Sequence, residues 1–102
     1  MYKLDISDRA EEDFDKIIKY LSENLDSPQA AASFSDKVEA CYEHLENTPY
    51  IYAECYDSKL KNEGFRRAVI KNYILLFKIY EEQKSVWIYR FFHSMQDYAN
   101  LI

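Results

Sequence analysis

Three runs of β-branched and aromatic residues dominate the C-terminal 39 residues: Phe65 to Ile70, Tyr73 to Tyr80 and Ser85 to His93. Only Lys71-Asn72 and Glu81-Glu82-Gln83-Lys84 interrupt them, and both breaks read as hairpin turns. The segment is therefore an antiparallel three-strand meander with a short helical tail. Ile74-Leu75-Leu76-Phe77 and Val86-Trp87-Ile88-Tyr89 are apolar on both faces, which places the second and third runs inside a sheet rather than at its edge.

The preceding residues supply what such a sheet needs to cover it. Tyr2, Leu4 and Ile6 alternate with Lys3 and Asp5, the period of a strand with one buried face. Ser7 and Asp8 can cap a helix whose first turns carry Glu11, Glu12 and Asp13, carboxylates placed at the positive end of the helix dipole. Ala10, Phe14, Ile17, Ile18, Leu21 and Leu25 form its apolar stripe. Ser27-Pro28 reads as a cap followed by proline in the first helical position, opening a second helix to about Glu46 with the stripe Phe34, Val38, Cys41, Tyr42 and Leu45.

The order is β-α-α-β-β-β: an α+β fold in one domain, residues 1 to 102, with a helical hairpin packed on one face of a small antiparallel sheet. From Tyr50 to Glu63 the chain is rich in tyrosine and charge without clear periodicity, and so reads as a long connection.

The charge is polarised. Residues 1 to 57 hold 5 Lys+Arg and 14 Asp+Glu, whereas residues 58 to 102 hold 8 and 4. The net charge of -5 argues against a generic nucleic-acid binder, although the second half is locally basic. Two cysteines, Cys41 and Cys55, make neither a disulfide framework nor a metal-ligand pattern. No metal or cofactor is expected. Cys41 falls on a core stripe, and Cys55 falls in the connection, where exposure is open to it. With no signal segment and no apolar run of spanning length, the expected location is the cytoplasm and no membrane is involved.

Arg66, Arg67, Lys71, Arg90 and His93, followed by Met95, Gln96, Asp97 and Tyr98, form the densest polar constellation. In a meander the outer strands both flank the middle one, so an arginine of the first can approach Arg90 and His93. Strict alternation puts Arg90 with Val86, Ile88 and Phe92, and His93 with Trp87, Tyr89 and Phe91. Such a group suits a phosphodiester or an acidic peptide, with His93 as base, Arg90 as cation and Tyr98 as acid. It equally suits arginines paired with the acidic helices, His93 bonding at a strand end, and Tyr98 packing with Leu101 and Ile102.

The element order, the segment Gly64-Phe65-Arg66-Arg67-Ala68-Val69-Ile70-Lys71-Asn72-Tyr73 and the ending Arg90-Phe91-Phe92-His93-Ser94-Met95-Gln96-Asp97-Tyr98 resemble the RelE/ParE superfamily of bacterial type II toxins. The resemblance implies a growth inhibitor silenced by a cognate antitoxin, whose acidic segment folds on binding. RelE-like members are ribosome-dependent mRNA endoribonucleases that need no metal, and ParE-like members poison DNA gyrase.

The motif positions lean to the second branch. Ile74 stands where nucleases often carry arginine, and Met95 where many carry another. The resemblance thus implies a ParE-like inhibitor from a plasmid-stabilisation module, with Arg66, Arg67, Lys71, Arg90, Met95, Gln96 and Tyr98 as target or antitoxin contacts. As a nuclease it would use Arg66, Arg90, His93 and Tyr98 on mRNA at the ribosome. A family member that binds its antitoxin without toxicity is a third reading, and a homodimer is compatible with all three.

Overall fold

The computed structural model describes residues 1–102. Strand β1 (Lys3–Ile6) leads into helix α1 (Asp8–Lys19), and Ser7 is its cap: the Ser7 Oγ accepts from the Ala10 N–H at 3.0 Å. The helix widens into a π turn, Tyr20–Asn24, with the Leu25 N–H donating to the Tyr20 carbonyl, and the chain reverses at Asp26 with φ 48°. Ser27 Oγ then accepts from the Ala30 N–H at 3.2 Å, Pro28 takes the first helical position, and α2 runs Pro28–Asn47.

The three C-terminal runs are strands over the residues the sequence marks: β2 (Phe65–Ile70), β3 (Tyr73–Tyr80) and β4 (Ser85–His93). They pair antiparallel in succession, but β1 adds parallel to β4, so the sheet, in the order β1-β4-β3-β2, is mixed rather than antiparallel throughout as the sequence suggests. The two strands that carry the runs apolar on both faces, β3 and β4, are the inner ones, although Tyr80 and Trp87 leave one end of them exposed.

The main core fills the space between the helices and one face of the sheet. Phe34 is its centre, with ring centroids 5.8 Å from Phe14, 5.1 Å from Tyr73 and 6.3 Å from Phe91. Val38 and Leu45 from α2, and Ala68, Leu75, Phe77, Val86 and Ile88 from the sheet, close around it.

A second, smaller core lies on the far face, and it corrects two expectations. The segment from Tyr50 to Glu63 is not a patternless connection: it contains a 3-10 turn at Pro49–Ile51 and a short helix α3, Ser58–Asn62, capped by Asp57. Cys55 is not exposed but 2% accessible, packed with Leu60, Phe65, Ile74, Leu76 and Phe92. Leu60 is the anchor that draws this segment over the sheet, since it is the one apolar residue that α3 offers.

The simple alternation expected along β4 is also broken. Leu76 pairs with Arg90 and Phe77 with Ile88, so Tyr89 is the extra residue of a β-bulge. Val86, Ile88 and Phe91 consequently line the main core while Phe92 belongs to the far face. The added residue shifts the side-chain phase of everything after it by one.

Candidate functional site

Beyond Ile88 the β1 strand has ended, and the outer edge of β4 needs other partners for its backbone. Helix α1 supplies them. The Ser7 N–H donates to the Ile88 carbonyl at 3.0 Å, and the Ser7 hydroxyl donates to the Tyr89 carbonyl at 2.8 Å. Asp13 continues the substitution by accepting the Phe91 N–H on Oδ2 at 3.0 Å.

The same carboxylate takes Arg90 in a two-pronged pair, Nε to Oδ2 at 2.7 Å and Nη2 to Oδ1 at 3.1 Å. The side chains are 16% and 13% exposed, and the Arg90 guanidinium also lies 4.5 Å from the centre of the Phe92 ring. Sequence reasoning missed Asp13, treating it as a dipole-favouring carboxylate. Its signal is positional: it lies three residues after Ala10 and four before Ile17, on the stripe that faces the sheet.

Arg66 and Arg67 point to opposite faces. Arg66 stands opposite Phe77, on the helix side, where Nη1 donates to the Tyr52 carbonyl at 2.7 Å and Nη2 lies 3.8 Å from Glu54. Tyr50 stacks against it, with 5.1 Å from guanidinium carbon to ring centre. Arg67 shares the far face with Leu76 and Arg90 in one cross-strand row. Its guanidinium lies 4.4 Å from the Tyr56 ring centre, no carboxylate reaches it, and its Nε is buried without a partner.

His93 ends β4 opposite Tyr73, edge-on to that ring at 5.3 Å. Its Nδ1 accepts the Met95 N–H at 3.1 Å, which assigns the proton of the neutral ring to Nε2. Gln96 Oε1 accepts the His93 backbone N–H at 2.7 Å, so the turn after β4 is built around this histidine. Tyr98 opens the last short helix, α4 (Tyr98–Leu101), and stacks on Phe92 at 6.1 Å; Asp97 accepts from the Asn100 side chain, and Met95 is exposed. Lys71 occupies the β2–β3 turn with φ 55°.

Of the sequence-derived set, the structure therefore gathers His93, Gln96 and Tyr98 at one end and holds Arg90 on Asp13. Arg66 is not brought to His93. Their β3 partners, Phe77 and Tyr73, are four residues apart, about 13 Å along the strand.

A further polar knot lies at the other end of the sheet. Glu81 Oε1 accepts from the Tyr2 hydroxyl at 2.6 Å and the Tyr50 hydroxyl at 2.9 Å, and Glu81 pairs with Lys84. Hydrogen bonds from Lys84, Tyr2 and Tyr50 pull the Glu81 carboxyl down to about 2. The knot ties the N-terminus, the β3–β4 hairpin and the Pro49–Ile51 turn together.

A mixed four-strand sheet with a helical hairpin on one face and a short C-terminal helix is the architecture of the RelE/ParE superfamily of toxins. Two solved structures share it: the RelBE2 toxin-antitoxin complex of Mycobacterium tuberculosis, 24% identical, and the chromosomal ParDE system of P. aeruginosa, 18% identical. The first covers 90% of this chain and 96% of its own, with a TM-score of 0.64; the second covers 91% and 96%, with a TM-score of 0.71. The family model described as the ParE toxin of the type II toxin-antitoxin system parDE matches residues 4–98, and the chain belongs to that family. Among curated protein sequences, none matches.

Proposed function

We propose that this chain is a growth-inhibiting toxin that acts by binding and poisoning DNA gyrase, and that a cognate antitoxin holds it silent. The observation carrying this reading is the state of the arginines. Arg90 is ion-paired with Asp13, and Arg66 is turned to the helix side and held by the Tyr52 carbonyl. Metal-independent phosphodiester cleavage needs a free cation, a base and an acid converging on one phosphate. His93 lies against Tyr73, whose ring packs on Phe34 in the main core, whereas Ile74, Phe92 and Tyr98 lie on the far face, so no such convergence forms around His93. Membership of the ParE family supports the same choice.

A second reading, ribosome-dependent mRNA cleavage, draws on His93 and Tyr98. They lie at the same end of β4, with the His93 Nε2 outside the turn bond that Nδ1 makes. The test uses the purified chain with DNA gyrase, ATP and supercoiled plasmid, scored for linear DNA after protein denaturation. Linear DNA is the expected result. No linear DNA from a folded chain that arrests growth would transfer the assignment to mRNA cleavage, to be read next with His93→Ala on translating ribosomes. No growth arrest on induction would leave an antitoxin-binding member without toxicity.

A further inference from the structure

We propose that Tyr80, Trp87 and Tyr89, at the hairpin end of the sheet's far face, form a groove for a proline-rich segment of a partner protein that carries an acidic residue beside its prolines. This groove and the toxin reading are independent. Tyr73 pairs with His93 at one end of β3 and Tyr80 with Ser85 at the other, seven residues or about 23 Å away.

The far face is covered only in part. Cys55 and Leu60 close over Phe65, Ile74, Leu76 and Phe92, but Tyr80 and Trp87 remain 37% and 43% exposed. Alternation sets Lys78 and Tyr80 of β3 on this face, across from Trp87 and Ser85 of β4, with Tyr89 next along the strand. Large aromatic rings left together on a sheet surface contribute little to the core and mark a recognition surface.

The rings are already arranged. Tyr80 and Trp87 meet at 75° with centroids 6.4 Å apart, and Tyr89 lies 6.4 Å from Trp87 at 39°. A hydrogen bond of 2.8 Å between the Tyr80 and Tyr89 hydroxyls ties the two outer rings together. They enclose a cavity of about 300 Å³ completed by Gln83 and Ser85. Little ordering is left for a ligand to bring about.

The lining selects the occupant. No charged side chain borders the cavity, which suits an uncharged ligand. The Trp87 indole N–H, the hydroxyl hydrogen left over by the tyrosine pair and the Gln83 carboxamide have no protein partners, so the groove is rich in free donors. A run of prolines is apolar, presents carbonyl oxygens, has no N–H to leave unpaired, and enters in its extended helical form at small entropic cost. One pyrrolidine ring fits the corner between Tyr80 and Trp87.

Charge beside the groove adds direction. Lys78, cross-strand from Trp87, holds its Nζ 4.5 Å from the Phe65 ring centre and 5.4 Å from that of Tyr89, and no carboxylate pairs with it. An acidic residue next to the prolines would meet this cation. The chain has no such segment of its own: its two prolines are Pro28, in the first turn of α2, and the buried Pro49.

The experiment adds blocked peptides to the isotope-labelled chain and follows the Trp87 indole N–H by NMR together with its fluorescence, which reports this groove alone because the chain has one tryptophan. The probes are a run of eight prolines ending in two glutamates, the same run ending in two lysines, and a glycine-serine run ending in two glutamates. Saturable shifts at Tyr80, Trp87 and Tyr89 are expected for the first, about tenfold tighter than for the second, and none for the third. Tyr80→Ala weakens binding at least about tenfold, whereas Tyr80→Phe, which keeps the ring, largely retains it. Lys78→Glu reverses the preference for glutamate over lysine and decides the matter even where Tyr80→Ala fails to fold.

Equal binding of the glycine-serine peptide, no saturation by about 1 mM, or undiminished binding by Tyr80→Ala would overturn the proposal. So would Trp87 shifts that depend on chain concentration without peptide, which would give the surface to a second copy. A response to oligothymidylate with none to the proline peptides would overturn it in favour of base stacking.

Discussion

With Asp13 replaced by alanine, Arg90 would keep its charge and its largely buried position but lose its counter-ion, and the Phe91 N–H would lose its acceptor. Removing one member of a buried pair costs about 3 to 5 kcal/mol. Asp13→Ala should therefore lower unfolding free energy by about that amount in urea titrations, while Asp15→Ala, exposed on the same helix, should be nearly silent. An equal loss in both variants would remove the special role given to Asp13.

Glu81 makes a different prediction. Its carboxyl is held at about 2 in the folded chain against 4.5 for the free group, so its contribution is present above about pH 4.5 and lost as pH falls toward 2. Carboxyl-carbon shifts followed by NMR should place its midpoint well below that of exposed glutamates. In Glu81→Gln, the part of acid destabilisation arising in this window should be missing.

At the scale of elements, the helix caps are separable in their effects. Ser27 only caps α2, and Ser27→Ala should cost about 1 kcal/mol. Ser7 caps α1 and also carries the Tyr89 carbonyl at the bulge, so Ser7→Ala should cost more, about 2 kcal/mol. Thermal or urea unfolding of the two variants side by side measures the difference. The caps and the strands were legible in the sequence because each depends on neighbours within a few residues. Ser27-Pro28 needs nothing distant to start a helix, and the apolar content of β3 and β4 announced inner strands before any pairing was known. The bulge at Tyr89 was not legible, because it arises from the register of two strands and leaves no turn residue to mark it.

For the whole molecule, the polarised charge proves to be partly internal wiring. The acidic helical hairpin supplies Asp13 to the basic sheet and so neutralises Arg90, while Arg67, Lys37 and Lys71 remain unpaired. The candidate site was legible as a list of residues and illegible as a geometry. Arg66 and Arg67 are adjacent in sequence, yet one meets Tyr52 on the helix side and the other Tyr56 on the far face.

Strands β1 to β4, helices α1 and α2, the Ser7 and Ser27 caps and the identity of the inner strands were readable from the chain, since period, capping and turn chemistry act over a few residues, whereas α3 and the Pro49–Ile51 turn were not. Long-range contacts alone made Asp13 the substitute for a strand partner, built a second core around Cys55 and Leu60, and turned Arg66 and Arg67 to opposite faces. Each of those outcomes depends on groups far apart in the chain reaching hydrogen-bonding or packing distance, and no local pattern encodes that distance.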